Sequence, residues 1–213
     1  EASRQSLLRS LLASADQLKA GKDYEVALMR YRLAREYDLH NLHSHRGYIE
    51  CMYYLKQIRL AELEYEALNR QYPRDNILTY ALGLVYSYRG TEQAELYGNP
   101  DGLDPHYLVQ KSSATIARAL LYDYTLAQAY LTLSYNYEMM ERYEKRRRSR
   151  PVPLYQKAYQ TLTAPIATLY RTLTFHDDTR PKSYSERAIH ELNKALVLND
   201  EKIDPWLEAA LAL

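Results

Sequence analysis

Residues 27–34 read ALMRYRLA, a frame in which Ala27 is followed by Tyr31 four positions later and by Ala34 three positions after that. Residues three and four apart lie on the same face of an α-helix, so this stretch predicts a helix with one apolar face. Small residues on such a face let a neighbouring helix approach closely. The frame therefore predicts a helix that packs tightly against another.

The same frame recurs along the chain. It returns 34 residues later as Ala61, Tyr65 and Leu68, and Pro73 follows this copy. Two further copies follow the same spacing, namely Ser112, Ile116 and Ala119, and then Ala188, Leu192 and Ala195. Each copy is followed by a second helical pattern. A fixed step of this length is typical of a repeat protein built from stacked helix pairs.

The chain resembles the tetratricopeptide repeat (TPR) family, whose unit is a helix–turn–helix of 34 residues. The residues that carry the resemblance are Ala61, Tyr65 and Pro73, then Leu82, Gly83 and Tyr86, and Trp206. The resemblance implies an all-α fold, a right-handed superhelical solenoid with two insertions. Residues 1–213 would form a single domain of about four repeats plus the first helix of a fifth. We expect the natural protein to continue beyond Leu213.

Helices are predicted near 3–20, 23–37, 42–56, 58–72, 75–89, 105–122, 125–147, 153–175, 183–198 and from 204 onward. The insertions are predicted near 90–104 and 147–183, because the repeat spacing lengthens there. Asp104 is predicted to cap the helix that Pro105 begins. The second insertion holds an amphipathic helix over 153–175. This helix has three alternatives: packing as an extra structural helix, occupying the chain's own groove, or contacting a partner.

Composition excludes several classes of protein. The chain has 213 residues, a formal net charge of +1 and one cysteine. Hydrophobic residues make up 46%, which excludes long intrinsic disorder, and one cysteine excludes an internal disulfide framework. No apolar run approaches the length that a transmembrane helix needs. The sequence is compatible with a cytoplasmic or a bacterial periplasmic location.

Tyrosine is over-represented, with 23 tyrosines against one Phe and one Trp. Tyrosine suits surfaces that are apolar yet wet. In the TPR family the first helix of each pair lines a concave groove for peptides or helices. The resemblance places Arg46, Glu50, Tyr53, Tyr54, Tyr80, Leu84, Tyr88, Gln128, Leu131, Tyr135 and Met139 in that groove. The function predicted is therefore a protein–protein interaction scaffold. The alternative is that these tyrosines simply fill space between helices.

A second hypothesis concerns the basic run at the end of one predicted helix. It consists of Arg142, Lys145, Arg146, Arg147, Arg148 and Arg150. Such a run could contact RNA or an anionic surface, or it could be a solvated helix end that complements the helix dipole. The balanced net charge favours the solvated helix end, so nucleic acid is not the expected partner. Two further hypotheses are self-association and a regulatory role within a larger enzyme.

Nothing in the sequence predicts catalysis or a cofactor. No nucleophile motif or phosphate-binding glycine loop is present, so the chain is not expected to be an enzyme. His40, His43 and His45 lie close together in sequence, but His43 and His45 point in different directions on a helix. They are not expected to form a metal site. Cys51 is expected to be a small core residue.

Overall fold

The computed structural model describes residues 2–95, 105–148 and 183–198, and within these ranges the chain is all-helical. The helices are α1 (Ala2–Ala20), α2 (Tyr24–Tyr37), α3 (Leu42–Tyr54), α4 (Ile58–Gln71), α5 (Asn76–Glu95), α6 (Pro105–Tyr122), α7 (Ala127–Arg148) and α8 (Tyr184–Leu198). The all-α fold is confirmed. The predicted helices over 153–175 and from 204 onward lie outside the described residues. None of the described helices is both long and apolar enough to cross a bilayer.

The 34-residue step is visible in the backbone itself. Lys22 ends the α1–α2 turn with a φ of 64°, and Lys56, 34 residues later, ends the α3–α4 turn with a φ of 59°. In the first turn, Asp23 N donates to Leu18 O at 2.9 Å. The equivalent bond in the second turn joins Gln57 N to Met52 O at 2.8 Å. A left-handed residue followed by such a bond is the Schellman helix ending.

Polar side chains begin the helices as helix capping requires. Asn41 Oδ1 accepts from Ser44 N at 2.9 Å before α3, and Asp75 Oδ1 accepts from Leu78 N at 2.8 Å before α5. Before α8, Ser183 and Glu186 exchange two hydrogen bonds, which is a capping box. α6 begins at Pro105 as predicted. Proline suits that position because the first amide of a helix has no intrahelical partner.

The helices stack in two layers. Each helix contacts the next one along the chain, and the odd-numbered helices also contact one another, α1 with α3, α3 with α5 and α5 with α7. In the described part of the chain, no two even-numbered helices contact each other. The odd-numbered helices are therefore closer together, so the stack curves with these helices on its inner side. They form what we call the inner layer.

Both predicted insertions interrupt a helix pair without separating it. The most extensive helix–helix contacts are those between α5 and α6 and between α7 and α8. Residues 96–104 connect the first of these pairs and residues 149–182 connect the second. The added residues are therefore accommodated between the two helices of a repeat, where they leave the stacking of repeats unchanged.

The first insertion begins later than predicted. We predicted that a helix over 75–89 would give way at Gly90, whereas α5 continues to Glu95. The reason is that Gly90 packs against α6, where a Cβ atom would lie 2.6 Å from Val109 Cγ2. Buried Arg89 holds this last part of α5 by donating to Glu92 Oε2 at 2.9 Å. Gly90 is thus a packing residue inside a helix.

The core is built on the repeated frame. Tyr31 and Tyr65, which occupy the same repeat position, are both fully buried, as are Ala27 and Ala61. Ile116 takes the tyrosine position in the third repeat and is also fully buried. The residues that define the sequence repeat are therefore the residues that hold the helix layers together.

Gly47 in α3 lies directly beneath the ring of Tyr31. A Cβ atom at this position would lie 2.3 Å from Tyr31 Cζ and 2.4 Å from its Cε1. The Tyr31 ring has little room to move because it is fully buried and its hydroxyl donates to Asp16. The missing side chain at Gly47 is therefore what allows α2 and α3 to pack this closely.

A buried amide joins α5, α6 and α7. Asn136 in α7 is fully buried, and its Oδ1 accepts from Ser87 Oγ at 2.7 Å. Its Nδ2 donates to Ser112 Oγ at 2.8 Å and to Ser113 Oγ at 3.2 Å. Ser112 Oγ in turn donates to the carbonyl of Gly83 at 2.6 Å. Because a buried amide must keep these partners, the network specifies how the fourth repeat stacks on the third.

We expect Gly47→Ala to lower the free energy of unfolding by about 2 kcal/mol, because the added methyl overpacks the Tyr31 ring. The gain in helix propensity, up to about 1 kcal/mol, does not offset this. Gly21→Ala is the control, since its Cβ would lie at an ordinary 3.4 Å from Leu18 O. Chemical denaturation followed by circular dichroism measures both, and equal stability of the two variants would contradict the argument.

We expect Asn136→Ala to lower the free energy of unfolding by about 2–3 kcal/mol, because it leaves the buried hydroxyls of Ser87 and Ser112 short of partners. Asn193→Ala is the matched control, since Asn193 is exposed on α8. It should change stability by less than about 0.5 kcal/mol. Urea denaturation compares the two, and a small effect at Asn136 would show that the network does not stabilise the stack.

Candidate functional site

The predicted groove residues lie on α3, α5 and α7, three helices of the inner layer, and differ widely in exposure. Tyr54 and Tyr135 are each 44% exposed. The partly buried members are Arg46, Glu50, Tyr53, Leu84, Tyr88, Gln128, Leu131 and Met139. Tyr80 is 1% exposed. Ten of the eleven predicted residues are therefore at least partly accessible.

Tyr80 does not line an accessible surface, so its assignment to the groove is corrected. Its side chain is buried in the core between α5 and α7, and its hydroxyl is 3.1 Å from Thr132 Oγ1. The physical reason is that α7 packs directly over this part of α5, so an inward-facing ring becomes part of the interface between repeats. Tyr80 is thus a structural tyrosine.

Four tyrosine rings contact one another in sequence across three helices. Tyr24 and Tyr54 are stacked with centroids 4.6 Å apart, Tyr54 meets Tyr53 at 5.6 Å, and Tyr53 meets Tyr88 at 4.8 Å. We call Tyr24, Tyr54, Tyr53 and Tyr88 the tyrosine ladder. It begins at the first residue of α2, follows the end of α3 and reaches the middle of α5. It is an organised aromatic surface.

Sequence reasoning missed Tyr24 as a member of this surface. The groove was sought on the first helices of the repeats, and Tyr24 begins a second helix. The N-terminus of α2 nevertheless lies beside the C-terminus of α3, which brings the Tyr24 ring onto Tyr54. An aromatic residue at the start of a second helix was the available signal.

Charged side chains along the ladder are paired with one another. Lys19 Nζ lies 2.7 Å from Glu50 Oε2, and this pair links α1 to α3. Tyr53 donates to Glu95 Oε1 at 2.9 Å, and Lys56 lies 4.0 Å from Glu95 Oε2. Burial raises the pKa of Tyr53, and the hydrogen bond to Glu95 raises it further. The face thus carries charge, but in mutually neutralised pairs.

The aromatic surface extends toward α7 through Tyr135. Its hydroxyl is 3.2 Å from Thr91 Oγ1 of α5. Tyr135 is also close enough to contribute electrostatically to the raised pKa of Tyr53. The described inner face is therefore continuous from α2 to α7.

The three histidines have separate partners. His40 Nδ1 lies 2.8 Å from Asp75 Oδ2, and His43 Nε2 lies 2.9 Å from Asp16 Oδ2. His45 is fully buried elsewhere, among side chains of α4. Within the ranges that the structure describes, no group of three or more His, Cys, Asp or Glu side chains is arranged to hold a metal ion.

His45 joins the second repeat to the connection that precedes it. Its Nε2 donates to the carbonyl of Leu39 at 2.7 Å, so Nδ1 is the acceptor and receives the Tyr65 hydroxyl at 2.7 Å. Burial lowers the pKa of His45 to about 4, and the nearby Arg35 guanidinium also lowers it. His45 is therefore a neutral structural residue at physiological pH.

Arg35 is a buried cation stacked on tyrosine rings. Its guanidinium carbon lies 4.1 Å from the Tyr48 ring centroid and 5.2 Å from that of Tyr65. It donates to Glu64, whose other oxygen accepts from the Tyr48 hydroxyl at 2.7 Å. These contacts join α2, α3 and α4, so they contribute to the stacking of repeats.

Two members of the basic run are neutralised locally. Arg142 pairs with Glu138 one turn earlier, and Lys145 lies 3.3 Å from Glu141 Oε1. Arg146, Arg147 and Arg148 belong to the end of α7, and Arg150 lies outside the described residues. Arg142 and Lys145 therefore already have carboxylate partners on their own helix.

Cys51 is a core residue, as predicted. It is fully buried in α3, and burial raises the pKa of its thiol to about 12. The thiolate is the reactive form, so this cysteine is chemically quiet at neutral pH. The predicted helix over 153–175 lies outside the described residues, and its three alternatives stay predictions.

No protein-family model matches the chain, and no curated protein matches it. Among solved structures, the chain is similar to a thermophilic TPR protein of Thermus thermophilus, at 16% identity and a TM-score of 0.46, over 97% of this chain and 100% of that chain. YrrB, a TPR protein with an unusual peptide-binding site, is similar at 16% identity and a TM-score of 0.28, over 95% of this chain and 91% of that chain. The family that the repeat pattern resembles is also the family of both solved structures.

We expect the free energy of unfolding to fall by about 2 kcal/mol between pH 7 and pH 5 through His45. The pKa of His45 is about 4 in the folded chain, whereas an unfolded histidine has a pKa of about 6.5. The unfolded state therefore binds more protons in this window. Stability is lost as the pH falls through about 6.5, and the loss levels off near pH 4. Urea denaturation at the two pH values measures it.

The control for this prediction is a pair of glutamine variants. His45→Gln keeps one donor and one acceptor but does not titrate, so the pH dependence of its stability should be smaller than that of the parent. His190→Gln alters an exposed histidine of α8 and should keep the parental pH dependence. An unchanged pH dependence in His45→Gln would contradict the assignment.

Proposed function

We propose that this all-helical, TPR-like chain is a protein–protein interaction scaffold that captures a partner segment on its tyrosine-rich inner face. The observation that supports this most strongly is the tyrosine ladder, which crosses α2, α3 and α5 as one connected set of rings. The function is binding, with no reaction proposed for the described residues.

The exposure of the tyrosines supports a binding role over space-filling. Tyr31, Tyr65 and Tyr80 are buried, and each hydroxyl has a partner within the chain. Tyr54 in the ladder and Tyr135 beside it are by contrast each 44% exposed. A ring needed only to fill space between helices would belong to the first group. Partly exposed tyrosines bury large areas on binding at low cost in rotamer entropy, so they are effective interface residues.

Preorganisation favours binding on this face. The ladder rings hold one another in place, and Tyr53 is fixed further by its hydrogen bond to Glu95. The inner layer beneath them is set by the contacts among α1, α3 and α5. Since these side chains are already ordered, a ligand loses less free energy to immobilising them.

We expect peptides selected from a displayed random library on the parent chain to lose binding when the inner face is altered. Tyr54→Ala removes an exposed ring of the ladder and should weaken selected peptides about tenfold or more. Tyr124→Ala is the matched control, since Tyr124 is 74% exposed and lies in the connection between α6 and α7. Fluorescence anisotropy with labelled peptides measures the affinities.

Circular dichroism spectra and melting temperatures of both variants must match those of the parent before the affinities are compared. Peptides that bind Tyr54→Ala and Tyr124→Ala equally well would place binding away from the inner face. A library that yields no binding peptide at all would also count against the proposal.

A further inference from the structure

We propose that the tyrosine ladder binds a proline-rich segment in the polyproline II conformation. This rests on the proposed function, because it names the chemistry of the segment that the inner face would capture. A polyproline II chain has no internal hydrogen bonds, and its proline rings dock on aromatic side chains. The ladder offers both features that such a chain needs, aromatic rings in series and hydroxyl donors.

The spacing of the rings suits this conformation. The centroid-to-centroid steps along the ladder are 4.6, 5.6 and 4.8 Å. Two successive steps therefore cover at most about 10 Å, and a polyproline II chain advances about 9.3 Å in each three-residue turn. Alternate rings, such as Tyr24 and Tyr53, can thus contact equivalent positions on successive turns of one ligand.

The hydroxyls of the ladder supply hydrogen-bond donors. In the described part of the chain, the hydroxyls of Tyr24, Tyr54 and Tyr88 form no hydrogen bond with protein atoms. Burial raises the pKa of Tyr54 and of Tyr88, so both remain O–H groups at neutral pH. The carbonyls of a polyproline II chain are unpaired acceptors, and each can receive such a hydroxyl.

The charges around the ladder favour a neutral ligand. Lys19 already pairs with Glu50, and Lys56 and Tyr53 already share Glu95. A strongly charged segment would have to compete with these pairs, whereas a proline-rich segment leaves them intact. An amphipathic helix buries a wide apolar face in a hydrophobic groove. The ladder instead presents tyrosine rings with hydroxyls, which suits an extended chain better.

The test is isothermal titration of the full chain with an acetylated, amidated nonaproline. A neutral Gly/Ser nonapeptide and an amphipathic helical peptide are titrated in parallel. We expect the nonaproline to bind and the Gly/Ser peptide not to bind. Tyr54→Ala should weaken nonaproline binding about tenfold or more, and Tyr124→Ala should leave it within about twofold. Tyr54→Phe keeps the ring and loses the donor, so it should fall between the two.

Two results would overturn the proposal: no binding of nonaproline at millimolar concentration, or binding that Tyr54→Ala leaves unchanged. Tyr54 is a suitable probe because its ring is 44% exposed, so its removal leaves the core intact. If the helical peptide binds in a Tyr54-dependent way and nonaproline does not, the polyproline II assignment fails while the inner-face function stands. If neither these peptides nor library peptides depend on Tyr54, both proposals fail.

Discussion

The close approach of helices at residues without bulky side chains is the constraint on which this structure depends. Gly47 lies under the ring of Tyr31, and Gly83 lies under Ile116, where a Cβ atom would be 2.5 Å from Cγ1. These contacts bring the inner layer and the second helices together. Because each repeat buries its apolar face only against its neighbours, the loss of one such contact loosens the stack on both sides.

Tyrosine has two roles in this chain, and both follow from its combination of an apolar ring and a polar tip. Buried rings such as Tyr65 and Tyr80 join neighbouring helices, since their hydroxyls need partners and find them on another helix. Half-exposed rings such as Tyr54 leave their hydroxyls for water or a ligand. A core built with phenylalanine would lack the first role and expose a less soluble surface for the second.

The sequence predicted the fold well because the repeat is a property of local spacing. A 34-residue step with small and aromatic residues in fixed places determines which helix faces meet, and most helix bounds agree with it to within two residues. The prediction failed where packing between non-adjacent elements decides the outcome. Gly90 looks like a loop residue until α6 is seen against it, and Tyr80 looks accessible until α7 covers it. The buried partners of Asn136 come from two other helices, so no spacing rule reveals them.

The candidate site was predicted in outline for the same reason. The helical register places Tyr53, Tyr54 and Tyr88 on the inner layer, but it does not say that their rings touch or that Tyr24 joins them. Ring contacts depend on rotamers and on the angle between helices, which the register does not fix. Sequence periodicity therefore located the face, and the structure located the ladder on it.

The pairing of α7 with α8 across residues 149–182 has a consequence for how the chain folds. Bringing the ends of a connection this long together costs roughly 2 kcal/mol more entropy than closing a four-residue turn. The α1–α2 and α3–α4 pairs, joined by tight turns, are free of that cost. The N-terminal repeats are thus the local, fast-forming part of the chain, and α8 docks as a distant element on a surface that already exists.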